Sequence, residues 1–174
     1  MIVIYIILGI IAFILLLGLF ISKDMNYEKS ISISASASDV WKNVCSLEAM
    51  DNWSPWSEKD PNMNKTWEGS TGEVGSKQSW VSDNKEVGEG SQTITKLDGP
   101  HRIDTHLEFI KPFKSEAEAY VILKDNNGTT TATWGFESTM PYPMNLMKLF
   151  MNFEKGMDKS FGMGLNKLKE ISEE

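Results

Sequence analysis

Few side chains in this sequence could do chemistry, and their spacing limits what that chemistry is. There are two histidines, His101 and His106, five positions apart. The stretch that carries them alternates like a strand, so the two rings fall on opposite faces. That geometry argues against a shared metal ion or a triad built on both. Cys45 is the single cysteine, which rules out an intrachain disulfide framework and a multi-thiolate metal site. Beside Val40 and Val44 it reads as a small apolar residue of a helix. No G-x-S-x-G, H-E-x-x-H, P-loop or dinucleotide fingerprint occurs. Gly88-Glu89-Gly90 lacks a third glycine and sits among β-type residues, so it reads as a turn. Catalytic residues, metal ligands and cofactors are accordingly assigned to none.

The remaining candidates are groups that could hold a ligand. They are Trp53, Trp56, Trp80, Phe109, Trp134, Phe136, Met147, Phe150, Met151, Met157 and Phe161, with Glu154 as the one charged member. Apolar residues at regular spacing fill cores by default, so core packing and cavity lining both stay open for each aromatic. The methionines favour an adaptable interior, because flexible thioethers accept varied apolar shapes. Glu154 is either a helix-edge side chain reaching solvent beside Lys155 and Lys159, or a polar anchor for a ligand head group. Arg102 shares its alternation class with Asp104 and His106, which places it on a wet face.

Composition divides the 174 residues in two. Residues 2–21 contain no charge, and all 17 basic and 24 acidic side chains follow them. The run is long enough, at about 1.5 Å per residue, to match the roughly 30 Å hydrocarbon core of a bilayer. No basic residue precedes it and no A-x-A-like site follows, which favours an uncleaved anchor over a signal peptide. The reading is therefore a transmembrane anchor over 1–22, a short tether over 23–26 and one domain over 27–174. Lys23 and Lys29 flank the run on its C-terminal side, so the body is expected to be cytoplasmic, on a single-pass membrane protein. A net charge of −7 with no basic cluster speaks against nucleic acid as a partner.

Residues 30–35 alternate strictly and read as a half-buried strand. Ser36, with Asp39 three residues on, resembles a helix N-cap, and a second short helix over 47–52 is stopped by Pro55. Strands follow over 77–82, 89–97, 102–109, 115–123 and 129–138, with Asn127-Gly128 as a type I′ hairpin signal. Each strand has one wet and one dry face, as in an antiparallel sheet covered on one side. Residues 144–171 read as one long helix whose stripe of Met147, Phe150, Glu154, Met157, Phe161, Leu165 and Leu168 faces the sheet. Gly156, Gly162 and Gly164 either let that helix approach closely or leave space beneath it.

Seven segments in this order resemble the bacterial polyketide cyclase/dehydrase-type members of the START-like (SRPBCC) superfamily. They include Ala35-Ser36-Ala37-Ser38-Asp39-Val40-Trp41, Asn52-Trp53-Ser54-Pro55-Trp56, Phe109-Ile110-Lys111-Pro112-Phe113 and Phe161-Gly162-Met163-Gly164-Leu165. The resemblance covers residues 27–172. It implies an α+β helix-grip fold, a curved antiparallel sheet around a long C-terminal helix, with a cavity between the two. The leading expectation is a membrane-tethered binding module for a small hydrophobic or amphipathic ligand, lipid-like or isoprenoid-like. The rivals are a cyclase/dehydrase-type enzyme on polyketide-like substrates and an interaction module whose cavity is filled. An empty apolar cavity favours the first, convergent polar groups the second, and no cavity the third.

Overall fold

The computed structural model describes residues 1–150 and 152–174; the candidate Met151 lies outside the described residues. Seven antiparallel strands form one sheet in the order β1-β7-β6-β5-β4-β3-β2. β1 spans Asp24–Ile33, β2 Asn64–Glu68, β3 Lys77–Val81, β4 Glu89–Asp98, β5 Arg102–Lys111, β6 Ser115–Asp125 and β7 Thr130–Thr139. β1 therefore sits at the opposite edge from β2. The short helices α2 (Ala37–Lys42), α3 (Leu47–Asp51) and α4 (Pro55–Lys59), numbered after the N-terminal helix α1 (Ile2–Gly18), carry the chain between those edges. The long α5 (Phe153–Ser172) packs on β1 and β7 and touches α2 and α4. The helix-grip architecture expected from the sequence is present.

Local chemistry accounts for most boundaries. Ser36 caps α2 by accepting from the Asp39 N–H at 3.2 Å, and Ser46 caps α3 by accepting from Ala49 at 3.1 Å. At the β6–β7 turn Asn127 and Gly128 both have positive φ, at 56° and 87°, as a type I′ hairpin requires. Ile103, Val121, Leu123, Ala132 and Trp134 point inward from β5, β6 and β7 and meet Phe161, Leu165 and Leu168 of α5. Arg102 stays on the outer face, paired with Asp104 and lying 4.9 Å from the centroid of the Tyr120 ring.

Three expectations are corrected. The first is the anchor. The helix formed by the apolar run is Ile2–Gly18, 17 residues. That is about 25 Å, short of a bilayer core of roughly 30 Å. Among the described residues no helix is long and apolar enough to cross a membrane. The single-pass membrane localisation, with its cytoplasmic body, is overturned. The reason lies where the run meets the body. Asn145 donates to the carbonyls of Gly18 at 2.7 Å and Ile21 at 3.0 Å, and Lys148 donates to that of Ser22 at 3.0 Å. Gly18 lies so close to Leu146 that a Cβ there would meet its Cγ at 2.9 Å. The last part of the apolar run is thus a capped, docked turn rather than helix. Residues 24–26, expected as tether, pair with 137–139 as the start of β1.

The second correction is the C-terminal helix. Met144–Leu149 forms a 3-10 helix, and α5 starts only at Phe153, with the Asn152 side chain accepting from the Lys155 N–H at 3.0 Å. Phe150 therefore lies outside α5 and is exposed, and Glu154, although in step with Met157 and Phe161, sits on the first turn of α5 and is exposed too. The third concerns Pro55. It does not merely stop α3; it occupies the first turn of α4, where its missing N–H has no intrahelical partner to lose.

Candidate functional site

A cavity of about 490 Å³ lies between the sheet, α3, α4 and α5. That falls within the range of roughly 300–1,000 Å³ typical of small-molecule sites. Its α5 end is aromatic. Trp134 stacks on Phe161 with centroids 4.0 Å apart and planes at 19°, and Trp53 and Trp56 meet Trp134 edge-on at 4.8 and 5.8 Å. These offset and edge-to-face contacts suit the ring quadrupoles. Trp53 is oriented by donating from Nε1 to the Asn43 carbonyl at 2.8 Å. Gly164 makes this packing fit, since a Cβ there would meet Trp134 Cζ3 at 2.8 Å and Pro55 Cδ at 3.2 Å. Tyr27 packs edge-on against Phe161 and donates from its hydroxyl to Asp158 at 2.7 Å. Burial, reinforced by that hydrogen bond, pushes the Tyr27 phenol up to about 12.

Further along, Trp80 and Phe109 meet at 6.2 Å, while Phe136, Met147 and Met157 line the wall. Of the sequence candidates, Trp53, Trp56, Trp80, Phe109, Trp134, Phe136, Met147, Met157 and Phe161 line the cavity; Phe150 and Glu154 do not. Phe150 is 81% exposed, and Glu154 is exposed on the first turn of α5.

The opposite end is polar, and sequence reasoning did not find it. Asp51 at the end of α3 accepts from Ser57 of α4 at 2.6 Å, from Lys65 of β2 at 2.8 and 2.7 Å, and from Gln78 of β3 at 3.3 Å. Lys65 also donates to Ser57 at 3.1 Å. The Lys65 and Asp51 side chains retain only 18% and 24% of their exposure, so this ion pair is largely withdrawn from water. One strand further in, Gln92 donates to Thr105 at 2.9 Å, and the Thr105 hydroxyl donates to the Ala119 carbonyl at 3.3 Å. A sequence signal existed in the alternation of β3 and β4, which puts Gln78 and Gln92 on the same face as Trp80 and Ile94.

The exposed part of the lining includes Lys85, Glu86, Lys111 and Lys114. Glu86 is bound by Lys59 at 2.9 Å, which holds its carboxyl below the usual range. Lys111 is bound by Glu89 at 2.7 Å, which raises its ammonium. His101 is exposed, and His106 sits beside Glu118 at 2.6 Å; neither lines the cavity. Among the described residues no group of three or more His, Cys, Asp or Glu side chains is placed to hold a metal ion.

Comparison with known proteins bears on this architecture. The Mll3558 protein from Rhizobium loti superposes with a TM-score of 0.62 at 13% identity, covering 84% of this chain and 96% of its own. A protein from Thermobifida fusca gives 0.61 at 20% identity, covering 84% and 92%. Ara h 8.0201 gives 0.57 at 11% identity, covering 86% and 97%. At such identities these likenesses establish the fold. No curated protein matches the sequence significantly. A family profile described as polyketide cyclase/dehydrase and lipid transport matches residues 25–173, from the start of β1 to the end of α5, and the chain belongs to that family.

Proposed function

We propose that this protein is a binding module for a small hydrophobic or amphipathic ligand, lipid-like or isoprenoid-like, held between the sheet and α5. The observation that carries the reading is the open cavity of about 490 Å³, walled mostly by apolar side chains, with tryptophan, phenylalanine and methionine prominent among them. Burying about 300 Å² of ligand apolar surface is worth roughly 7–8 kcal/mol at about 25 cal/mol/Å². Dispersion contacts add to this and lost ligand freedom subtracts several kcal/mol, leaving a Kd near the micromolar range. Trp53, Trp56, Trp80, Phe109, Trp134, Phe136, Met147, Met157 and Phe161 are the proposed contacts. The family description, which includes lipid transport, supports the same reading.

The enzyme alternative has one observation in its favour, the polar cluster at Asp51. A proton-transfer catalyst needs a group free to take or give a proton at the substrate. The Asp51 carboxylate is instead engaged by Lys65, Ser57 and Gln78, and Glu86 by Lys59. The interaction-module alternative requires a filled interior, which is not what the cavity shows.

Titrating the full chain with fatty alcohols, lysolipids and isoprenoids should quench tryptophan emission saturably. Met157→Trp, which adds bulk to the cavity wall, should weaken binding measured by calorimetry without lowering the melting temperature. The reading fails if no member of the panel binds below about 100 µM, roughly −5.5 kcal/mol.

A further inference from the structure

Gln78 and Gln92 face each other across β3 and β4 in direct register, and both line the cavity. Gln78 is 7% exposed and Gln92 is half-buried. Both amide nitrogens face a hydrogen-bond partner. Asp51 is an acceptor, so the Gln78 group beside it at 3.3 Å is the NH₂. Gln92 Nε2 donates to the Thr105 hydroxyl at 2.9 Å, and that hydroxyl donates to the Ala119 carbonyl at 3.3 Å. Each amide therefore keeps a carbonyl Oε1 that accepts no hydrogen bond among the described residues, and a second N–H likewise unused. Polar groups in an apolar enclosure cost free energy until a ligand or water meets them.

The neighbouring charges are already matched. Lys65 has three N–H donors and three acceptor contacts, two on Asp51 and one on Ser57. An anionic head group would find no free ammonium proton there and would lie beside the Asp51 carboxylate. A cationic one would lie beside Lys65. What is left open beside this ion pair is a pair of carboxamides offering donors and acceptors with no net charge, while the lining lysines Lys85 and Lys114 are exposed to solvent.

We propose that Gln78 and Gln92 form a head-group subsite that selects apolar ligands ending in a neutral group able both to donate and to accept a hydrogen bond, such as a hydroxyl, phenol or carboxamide. A ligand hydroxyl would donate to one Oε1 and accept from the other amide. This inference rests on the ligand-binding reading and adds to it the class of head group.

The test compares three probes of one shape, 2-naphthol, 2-naphthoate and 2-methylnaphthalene, by calorimetry on the full chain at pH 7. The expected result is that 2-naphthol binds five- to tenfold tighter than either of the others, the net worth of one or two buried hydrogen bonds. Gln78→Leu and Gln92→Leu should each bring 2-naphthol close to 2-methylnaphthalene and leave the latter unchanged. The comparison of probes on the unaltered chain stands even if a variant fails to fold. Naphthoate binding as tightly as naphthol overturns the inference in favour of an anion site at Lys65, Lys85 or Lys114. Equal affinity for naphthol and methylnaphthalene overturns it in favour of an apolar cavity with a solvated polar end. Retention of the naphthol preference in both variants overturns the assignment to these glutamines. Failure of methylnaphthalene and naphthol alike to bind at millimolar concentration overturns the hydrophobic-module reading itself.

Discussion

At the α5 end of the cavity, Trp134 lies flat on Phe161 and is flanked by Trp53 and Trp56, with Gly164 giving the helix room to approach. At the β2–β3 end, Asp51 gathers Ser57, Lys65 and Gln78 from three other elements. The first end is held by area and shape, where each buried ring contributes stability directly. The second removes charges from water and recovers that cost only through close pairing, so it contributes geometry more than net stability. The two ends should therefore respond differently to mutation: the aromatic end by losing stability, the polar end by losing the order of α3, α4 and the β2–β3 edge.

The largest effect is expected at Trp134. It is 6% exposed and touches three other aromatic rings. Trp134→Ala should lower unfolding stability by about 3–5 kcal/mol, the usual range for deleting a large buried aromatic, read from denaturant midpoints. A loss within about 0.5 kcal/mol, as at exposed sites, would remove the aromatic end as the stabilising half.

At the polar end, Lys65→Met and Asp51→Leu each leave a half-buried partner without its counter-charge. Each should cost about 1–3 kcal/mol. The double variant should cost clearly less than the sum, because the leftover charge is gone. Additive losses would show that the two side chains are not coupled, and the contrast between the ends would fail.

The same contrast decides what the sequence disclosed. Inward placement of Ile103, Leu107, Ala119, Trp134 and Phe136 followed from period-two alternation, a local signal. The Ser36 cap and the Asn127-Gly128 turn followed from short-range chemistry. Nine of the aromatic and methionine candidates line the cavity because apolar faces converge on one interior. The Asp51 cluster was hidden for two reasons. Its members are scattered from α3 to β3, and the short strand β2, Asn64-Lys65-Thr66-Trp67-Glu68, has no apolar alternation to mark it, which leaves Lys65 without a face. Phe150 falls off the stripe because α5 begins only at Phe153, and Glu154 keeps the spacing of the stripe but lies on the exposed first turn of the helix. The apolar run at the N-terminus reads as a span because hydropathy does not register that Asn145, over a hundred positions away, caps its Gly18 and Ile21 carbonyls.

The smallest and most discriminating expectation compares two glycines of α5. At both, alanine should gain up to about 1 kcal/mol from helix propensity and from a less flexible unfolded chain. At Gly164 that gain meets a contact of 2.8 Å with Trp134 Cζ3 and one of 3.3 Å with the Trp53 carbonyl oxygen. Neither neighbour yields easily, since the indole is stacked on Phe161 and the carbonyl belongs to the backbone. Overpacking of this kind costs about 1–3 kcal/mol, so Gly164→Ala should be destabilising by about 1 kcal/mol net. At Gly156 a Cβ meets nothing within 4 Å, so Gly156→Ala should be stabilising by about 0.5–1 kcal/mol. Thermal midpoints moving in opposite directions would locate the grip of α5 at its middle, over Trp134. If both variants gained stability, the helix would not be pressed against the aromatic end, and the distinction between the closed and polar halves of the cavity would have to be redrawn from the helix side.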